Sequence, residues 1–174
     1  PLVRSLMFMF PEDVNTYSID TAFMFGDAML IIPVVTEGAT SVSAYIPQGE
    51  WYDVHTASII QGGSEQTLSA PMDYIPVLQR AGTIVPLQMR LRRSASQMKH
   101  DPFTLRVIGD ANDSAIGHVY HDERDGYGYE ENQYAYMEYV LKNGVLTSKR
   151  TEEGVYDCPN QIERIIMKLQ TIPK

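Results

Sequence analysis

The densest group of potential ligands is the run His121-Asp122-Glu123-Arg124-Asp125-Gly126. A helix–loop–helix calcium loop places its oxygen ligands at fixed alternate positions and closes with a distant glutamate. Asp122 and Asp125 do not fit that spacing, and the run reads as a solvated turn between strands. Zinc takes several Cys or His ligands at short spacings. His55, His100, His118, His121 and the single cysteine, Cys158, form no such pattern. No metal or other cofactor is expected. Gly126-Tyr127-Gly128-Tyr129 has the glycine density of a phosphate loop but lacks the lysine and the helix start such a loop needs.

Acid–base cleavage of a sugar linkage with retention needs two carboxyl groups about 5 Å apart. Asp20, Asp27, Asp53 and Asp73 each stand in a turn or strand-edge context, where Asp is common for backbone reasons, and nothing marks any of them as catalytic. Cys158 sits beside Pro159 with no histidine near it in sequence, and no Gly-x-Ser-x-Gly elbow occurs. Trp51-Tyr52 and the tyrosines between Tyr127 and Tyr139 have two readings. They stack on sugar rings, or they fill the core of a sheet protein, and the second is the commoner use of strand aromatics. Asn112-Asp113-Ser114 is an N-glycosylation sequon, which makes Asn112 a modification candidate on the secretory route.

These residues must be held by strands. Leu2 to Phe10 is apolar on both faces apart from Arg4 and Ser5, as in a buried strand, and Pro11 ends it. Ser18 to Gly26 reads as a loop, and Asp27 to Val35 as a second two-sided strand with Pro33 at an edge or bulge. From Ser41 the pattern alternates, with Val42, Ala44 and Ile46 on one face. Short strands follow at Glu50–His55, Glu65–Ala70, Ile75–Gln79 and Thr83–Leu87, which complete a first group. The polar, basic stretch Met89 to Pro102 reads as a linker or long loop. Further strands are expected around Phe103–Val107, Ile116–His121, Gln133–Leu141, Val145–Lys149 and Ile165–Leu169. Asn143-Gly144 is the strongest hairpin signal, because a type I′ turn needs positive φ at both central residues.

Composition sets outer bounds. The 174 residues, 44% of them hydrophobic, suffice for one large or two small domains with real cores. A net charge of −8 argues against general affinity for nucleic acid or anionic membranes. With one cysteine no internal disulfide forms. No apolar run approaches the roughly 20 residues of a membrane span. A chain that opens at Pro1 directly into a strand-like run reads as a piece of a longer protein.

The order of segments carries a family resemblance. The runs LVRSLMFMFPED, YSIDTAFMFGDAMLIIPVVTEGATSVSAYIPQGEWYDVHT and PMDYIPVLQRAGTIVPLQ resemble the C-terminal part of glycoside hydrolase family 31. LRRSASQMKHDPFTLRV, GHVYHDERDGYGYE and IERIIMK resemble, more narrowly, the catalytic α-subunits of its glucosidase II branch. The resemblance implies a mainly β fold: residues 1–26 as the last strand and loop of a catalytic (β/α)8 barrel, then two small antiparallel β-sandwich domains, 27–93 and 94–174. It implies a retaining α-glucosidase whose catalytic carboxylates lie upstream, so no catalytic residue is assigned to this chain. Arg4 is then expected to pair with a barrel carboxylate, and Asp20 to tie its loop in place at the junction of barrel and sandwich. The implied partners are the preceding barrel, a glucan or N-glycan substrate reached through it, and the lectin-like β-subunit of glucosidase II. The implied location is the endoplasmic reticulum lumen. Two other classes remain open: a free-standing carbohydrate-binding β-sandwich module, and a purely structural fragment.

Overall fold

The computed structural model describes residues 2–150 and 154–169, and the chain divides into two units at Ala81–Gly82, each with its own core. The fold is mainly β, as read from the alternating apolar pattern.

The first unit starts with β1 (Val3–Arg4), a single helical turn α1 (Leu6–Met9) and a 3-10 turn at Val14–Thr16. The strands β2 (Phe23–Phe25), β3 (Met29–Ile31), β4 (Ser41–Ile46), β5 (Glu50–Asp53), β6 (Ile59–Gln61), β7 (Ser64–Ser69) and β8 (Val77–Arg80) follow. Six of them form an antiparallel sheet in the order β1-β2-β3-β8-β5-β6, and β4 pairs with β7 in a second, two-stranded sheet. One core joins the two sheets: Met24, Leu30, Trp51 and Leu78 come from the larger, and Ala44, Ile46 and Leu68 from the smaller. Trp51 is fully buried, and its indole N–H donates to the Pro47 carbonyl at 2.8 Å, so its one polar atom costs nothing in the apolar interior.

The second unit holds β9 (Thr83–Leu87), β10 (Phe103–Ile108), β11 (Ala115–Asp122), β12 (Tyr134–Lys142), β13 (Val145–Arg150) and β14 (Ile162–Lys168). They make one six-stranded sheet in the order β13-β12-β11-β9-β10-β14. Along β11 the alternation is complete: Ala115, Gly117, Val119 and His121 are buried, while Ile116, His118 and Tyr120 point outward. The buried side meets Ile84, Leu105, Val107, Tyr139 and Leu141. Asn143 and Gly144 close the β12–β13 hairpin with φ of 52° and 74°, the doubly positive pair the dipeptide foretold.

Several expectations change. Leu2 to Phe10 is not one buried strand. Only two residues are extended, and Leu6–Met9 closes a helical turn through the Phe10 amide and the Leu6 carbonyl at 2.9 Å. Leu and Met are strong helix formers and carry no β-branch that would hold them extended. Leu6 alone of this run is buried, and Met7 and Phe8 are exposed. The second two-sided strand shrinks to Met29–Ile31, and the loop Ser18–Gly26 contains β2, whose Met24 is wholly buried. Thr83–Leu87 does not complete the first group; it lies inside the second sheet, between β10 and β11. Nor is that sheet antiparallel throughout, since β9 runs parallel to β11 and β10 parallel to β14. Alternation shows which side of a strand is wet, but partner and direction depend on long-range closure that local pattern does not encode. The last five residues of the stretch assigned as 94–174 lie outside the described ones.

Gly117 is where β9 and β11 approach. A Cβ there would overlap the Ile84 carbonyl oxygen and stand 2.7 Å from the Ile84 Cβ. Gly117→Ala is expected to destabilise the chain by about 1–3 kcal/mol, the usual range for overpacking. Chemical denaturation followed by circular dichroism measures this, and an unchanged midpoint would refute the close-approach account.

Candidate functional site

In the first unit the polar work falls to Asp13. It precedes the 3-10 turn as its N-cap, with Oδ1 accepting from the Asn15 amide at 3.2 Å and the Asn15 side-chain amide at 3.0 Å. Oδ2 accepts from the Tyr45 hydroxyl at 2.7 Å, which links the turn to β4. That hydroxyl is the main reason the Asp13 carboxyl sits below its ordinary pKa, and the carboxylate in turn holds the Tyr45 phenol above its own. Asp13, Asn15 and Tyr45 line an open groove of about 680 Å³ with Phe10, Gln48 and Gly63. Among its described lining residues the charged ones, Glu12 and Asp13, are both acidic. The sequence reading missed Asp13, although an Asp at the head of a short turn was the signal for it.

In the second unit a buried network is centred on Asp101, in the MKHDPFTL stretch. Arg92 grips its carboxylate with both prongs, Nε to Oδ2 at 2.9 Å and Nη2 to Oδ1 at 2.7 Å. This paired donation is the first cause of the lowered Asp101 pKa. The Asp101 carbonyl accepts from Asn160 Nδ2 at 2.6 Å and Gln88 Nε2 at 3.1 Å, and Asn160 Nδ2 also reaches the Lys99 carbonyl at 2.9 Å. His121 Nε2 lies 2.6 Å from Asn160 Oδ1, and its Nδ1 lies 2.9 Å from the Asp122 carbonyl. Three segments far apart in sequence are thereby pinned together. The stretch read as a linker, Met89 to Pro102, is one of them.

Cys158, His121 and Asn160 share a cavity of about 240 Å³. The trio is not a nucleophilic site: both His121 ring nitrogens face oxygens, and the Cys158 thiol is directed at Asn160 Oδ1 at 3.8 Å. Among the described residues no three His, Cys, Asp or Glu groups converge to hold a metal ion. In the acidic run, Asp122 Oδ1 accepts from the Arg124 amide at 2.8 Å, the turn geometry its sequence suggested.

The remaining candidates are dispersed. Asp27 and Asp73 are exposed in turns, and Asp53 accepts from the amides of His55 and Thr56 at 2.8 and 3.1 Å. Asp20 is exposed just before β2. Arg4 is half-buried on β1, paired in register with Met24, and its guanidinium contacts Met9 Sδ at 3.3 Å. Asn112 is exposed in the β10–β11 turn, where Asp110 Oδ1 accepts from the amides of Asn112 and Ser114 at 2.8 and 2.9 Å. Tyr139 and Trp51 are core residues, as the commoner reading held, whereas Tyr120, Tyr134 and Tyr136 are not.

Residues 1–85 match the family model described as the glycosyl hydrolase family 31 C-terminal domain. The chain belongs to the C-terminal region of glycosyl hydrolase family 31. Beyond residue 85 this family 31 region is matched by relatives. A probable glucan 1,3-alpha-glucosidase of Arabidopsis thaliana is 41% identical over 170 residues, which is 96% of this chain and 18% of the relative. A crystal structure of a glucosidase II alpha subunit superposes with a TM-score of 0.87 at 31% identity, covering 96% of this chain and 19% of that one. A heterodimeric ER glucosidase II, described as a catalytic subunit with the binding domain of the regulatory subunit, gives 0.86 at 29% identity over 99% of this chain and 20% of that one. The family 31 region in hand therefore spans about a fifth of the length of the proteins it matches.

Because its folded pKa is depressed, Asp13 adds stability that is present above the ordinary carboxylate pKa and lost as pH falls through the lower folded value. Tyr45→Phe removes the main cause. Thermal unfolding should show a lower melting temperature for the variant at neutral pH, with the gap closing below the carboxylate range. A gap that does not change with pH would rule out the Tyr45–Asp13 bond as its origin.

Proposed function

We propose that this chain works as the C-terminal scaffold of a retaining α-glucosidase that hydrolyses terminal α-glucosidic bonds, and that it is non-catalytic by itself. The observation that carries this is the match of 96% of the chain to only 18% of a glucan 1,3-alpha-glucosidase. The scattered carboxylates Asp20, Asp27, Asp53 and Asp73 support a supporting rather than a cleaving role. In this reading residues 1–26 form the end of the catalytic (β/α)8 barrel, and the proximal and distal β-sandwich domains follow, with β9 (Thr83–Leu87) belonging to the distal domain rather than to 27–93. Exposed Leu2, Val3, Met7 and Phe8 support an apolar surface that the barrel covers. Arg4 pairs with a barrel carboxylate there, and Asp20 holds the junction loop.

The likeness to glucosidase II supports a finer version: trimming of glucose from N-linked glycans in the endoplasmic reticulum lumen, beside a regulatory β-subunit. The exposed sequon at Asn112 fits that compartment, and a mass shift on treating the secretory-pathway protein with a peptide N-glycosidase would report its glycan.

The test compares hydrolysis of p-nitrophenyl α-glucoside by this chain and by the longest product of its gene. Inactivity of the first and activity of the second are expected; turnover by this chain alone overturns the non-catalytic assignment. In the longer product, Arg4→Met should lower the melting temperature with little change in KM. A changed KM at an unchanged melting temperature would remove Arg4 from the junction.

A further inference from the structure

Sheet pairing assembles an aromatic strip that no single sequence segment displays. The outward side of β11 carries His118 and Tyr120, and the outward side of β12 carries Tyr134, Tyr136 and Glu138. The register sets His118 opposite Glu138, Tyr120 opposite Tyr136, and Asp122 opposite Tyr134, so all six share one face. The rings pair diagonally across the strands. His118 stacks on Tyr136 with centroids 5.3 Å apart at 17°, and Tyr120 on Tyr134 at 5.6 Å and 24°. The strip thus zigzags from Glu138, whose Oε2 is 3.4 Å from His118 Nε2, to Asp122 at the far end. The loop after β11 carries two further tyrosines, Tyr127 and Tyr129, whose ring centroids lie 6.3 Å apart.

Nothing about the core requires this. The opposite face of the same strands, with Val119, Tyr139 and Leu141, closes the hydrophobic cluster. Tyr120 nevertheless stays 52% exposed and Tyr127 74%. Large rings left on a wet face mark a contact surface. The chemistry narrows the occupant. Aromatic faces meet the C–H faces of pyranose rings, while phenol hydroxyls and the carboxylates at both ends bond to sugar hydroxyls. A chain of net charge −8, with Asp122 and Glu138 terminating the strip, repels phosphorylated or sulfated ligands. A flat strip running along two strands suits an extended ligand rather than one sugar in a pocket.

We propose that the His118–Tyr136–Tyr120–Tyr134 strip is a binding surface for a linear, neutral α-glucan, which helps to hold a long substrate on the enzyme. The proposal rests on the α-glucosidase reading above and adds a surface that reading does not need.

The test uses the full-length product of the gene, titrated by calorimetry with maltoheptaose and with an unbranched high-mannose arm oligosaccharide. Tyr120→Ala and, as a second variant in the loop, Tyr129→Ala should each weaken maltoheptaose binding by about three- to tenfold, the size of one lost aromatic contact. KM for the long glucan should rise in parallel, while kcat and KM for p-nitrophenyl α-glucoside stay unchanged. Undiminished maltoheptaose binding in folded Tyr120→Ala and Tyr129→Ala, or stronger binding of the mannose oligosaccharide than of the glucan, overturns the proposal. If the product cleaves no α-glucoside yet binds the glucan through these tyrosines, the surface stands and the enzymatic reading falls.

Discussion

The second unit depends on how closely β9 and β11 approach at Gly117. β9 is the hinge of that sheet: β11, β12 and β13 lie to one side of it, β10 and β14 to the other. Its Ile84 carbonyl and side chain occupy the space where any larger residue at 117 would carry its Cβ. That contact joins the two halves of the sheet and sets the buried side of β11 against Ile84.

Once β11 is seated, its period of two does several jobs. Ala115 and Val119 enter the core, while His121, on the same side, stands at its polar margin and reaches Asn160. Asn160 in turn binds the carbonyls of Lys99 and Asp101, and Arg92 neutralises the Asp101 carboxylate. A buried carboxylate is costly unless paired and hydrogen-bonded, and here it is both. The MKHDPFTL run that carried the narrower resemblance has a structural role: its Lys99 and Asp101 close a polar lock with Arg92 and Asn160. The odd-numbered positions of β11 build this interior, and the even-numbered ones supply the aromatic strip.

The first unit follows another logic. Two sheets share one core around Trp51, and Asp13 joins the turn after α1 to β4 through Tyr45. Its N-terminal segment keeps large apolar side chains exposed next to buried Leu6. The chain as a whole matches about a fifth of the length of much longer relatives.

The sequence by itself determined what depends on local pattern. The mainly β class, the positions of β4, β9, β11 and β12, the Asn143-Gly144 turn and the backbone role of Asp53 were all legible, because alternation and turn chemistry act over a few residues. The order of segments showed the family, since long matched runs carry more information than any single motif. Only the tertiary structure decided what depends on distance along the chain. It turned LMFMF into a helical turn, moved Thr83–Leu87 into the second sheet and made two strand pairs parallel. It also brought His121 to Asn160, 39 residues away, and aligned tyrosines from two strands on one face. A side chain's face follows from its parity in a strand, but its neighbour follows from the register between strands, and that is settled when the whole sheet closes over its core.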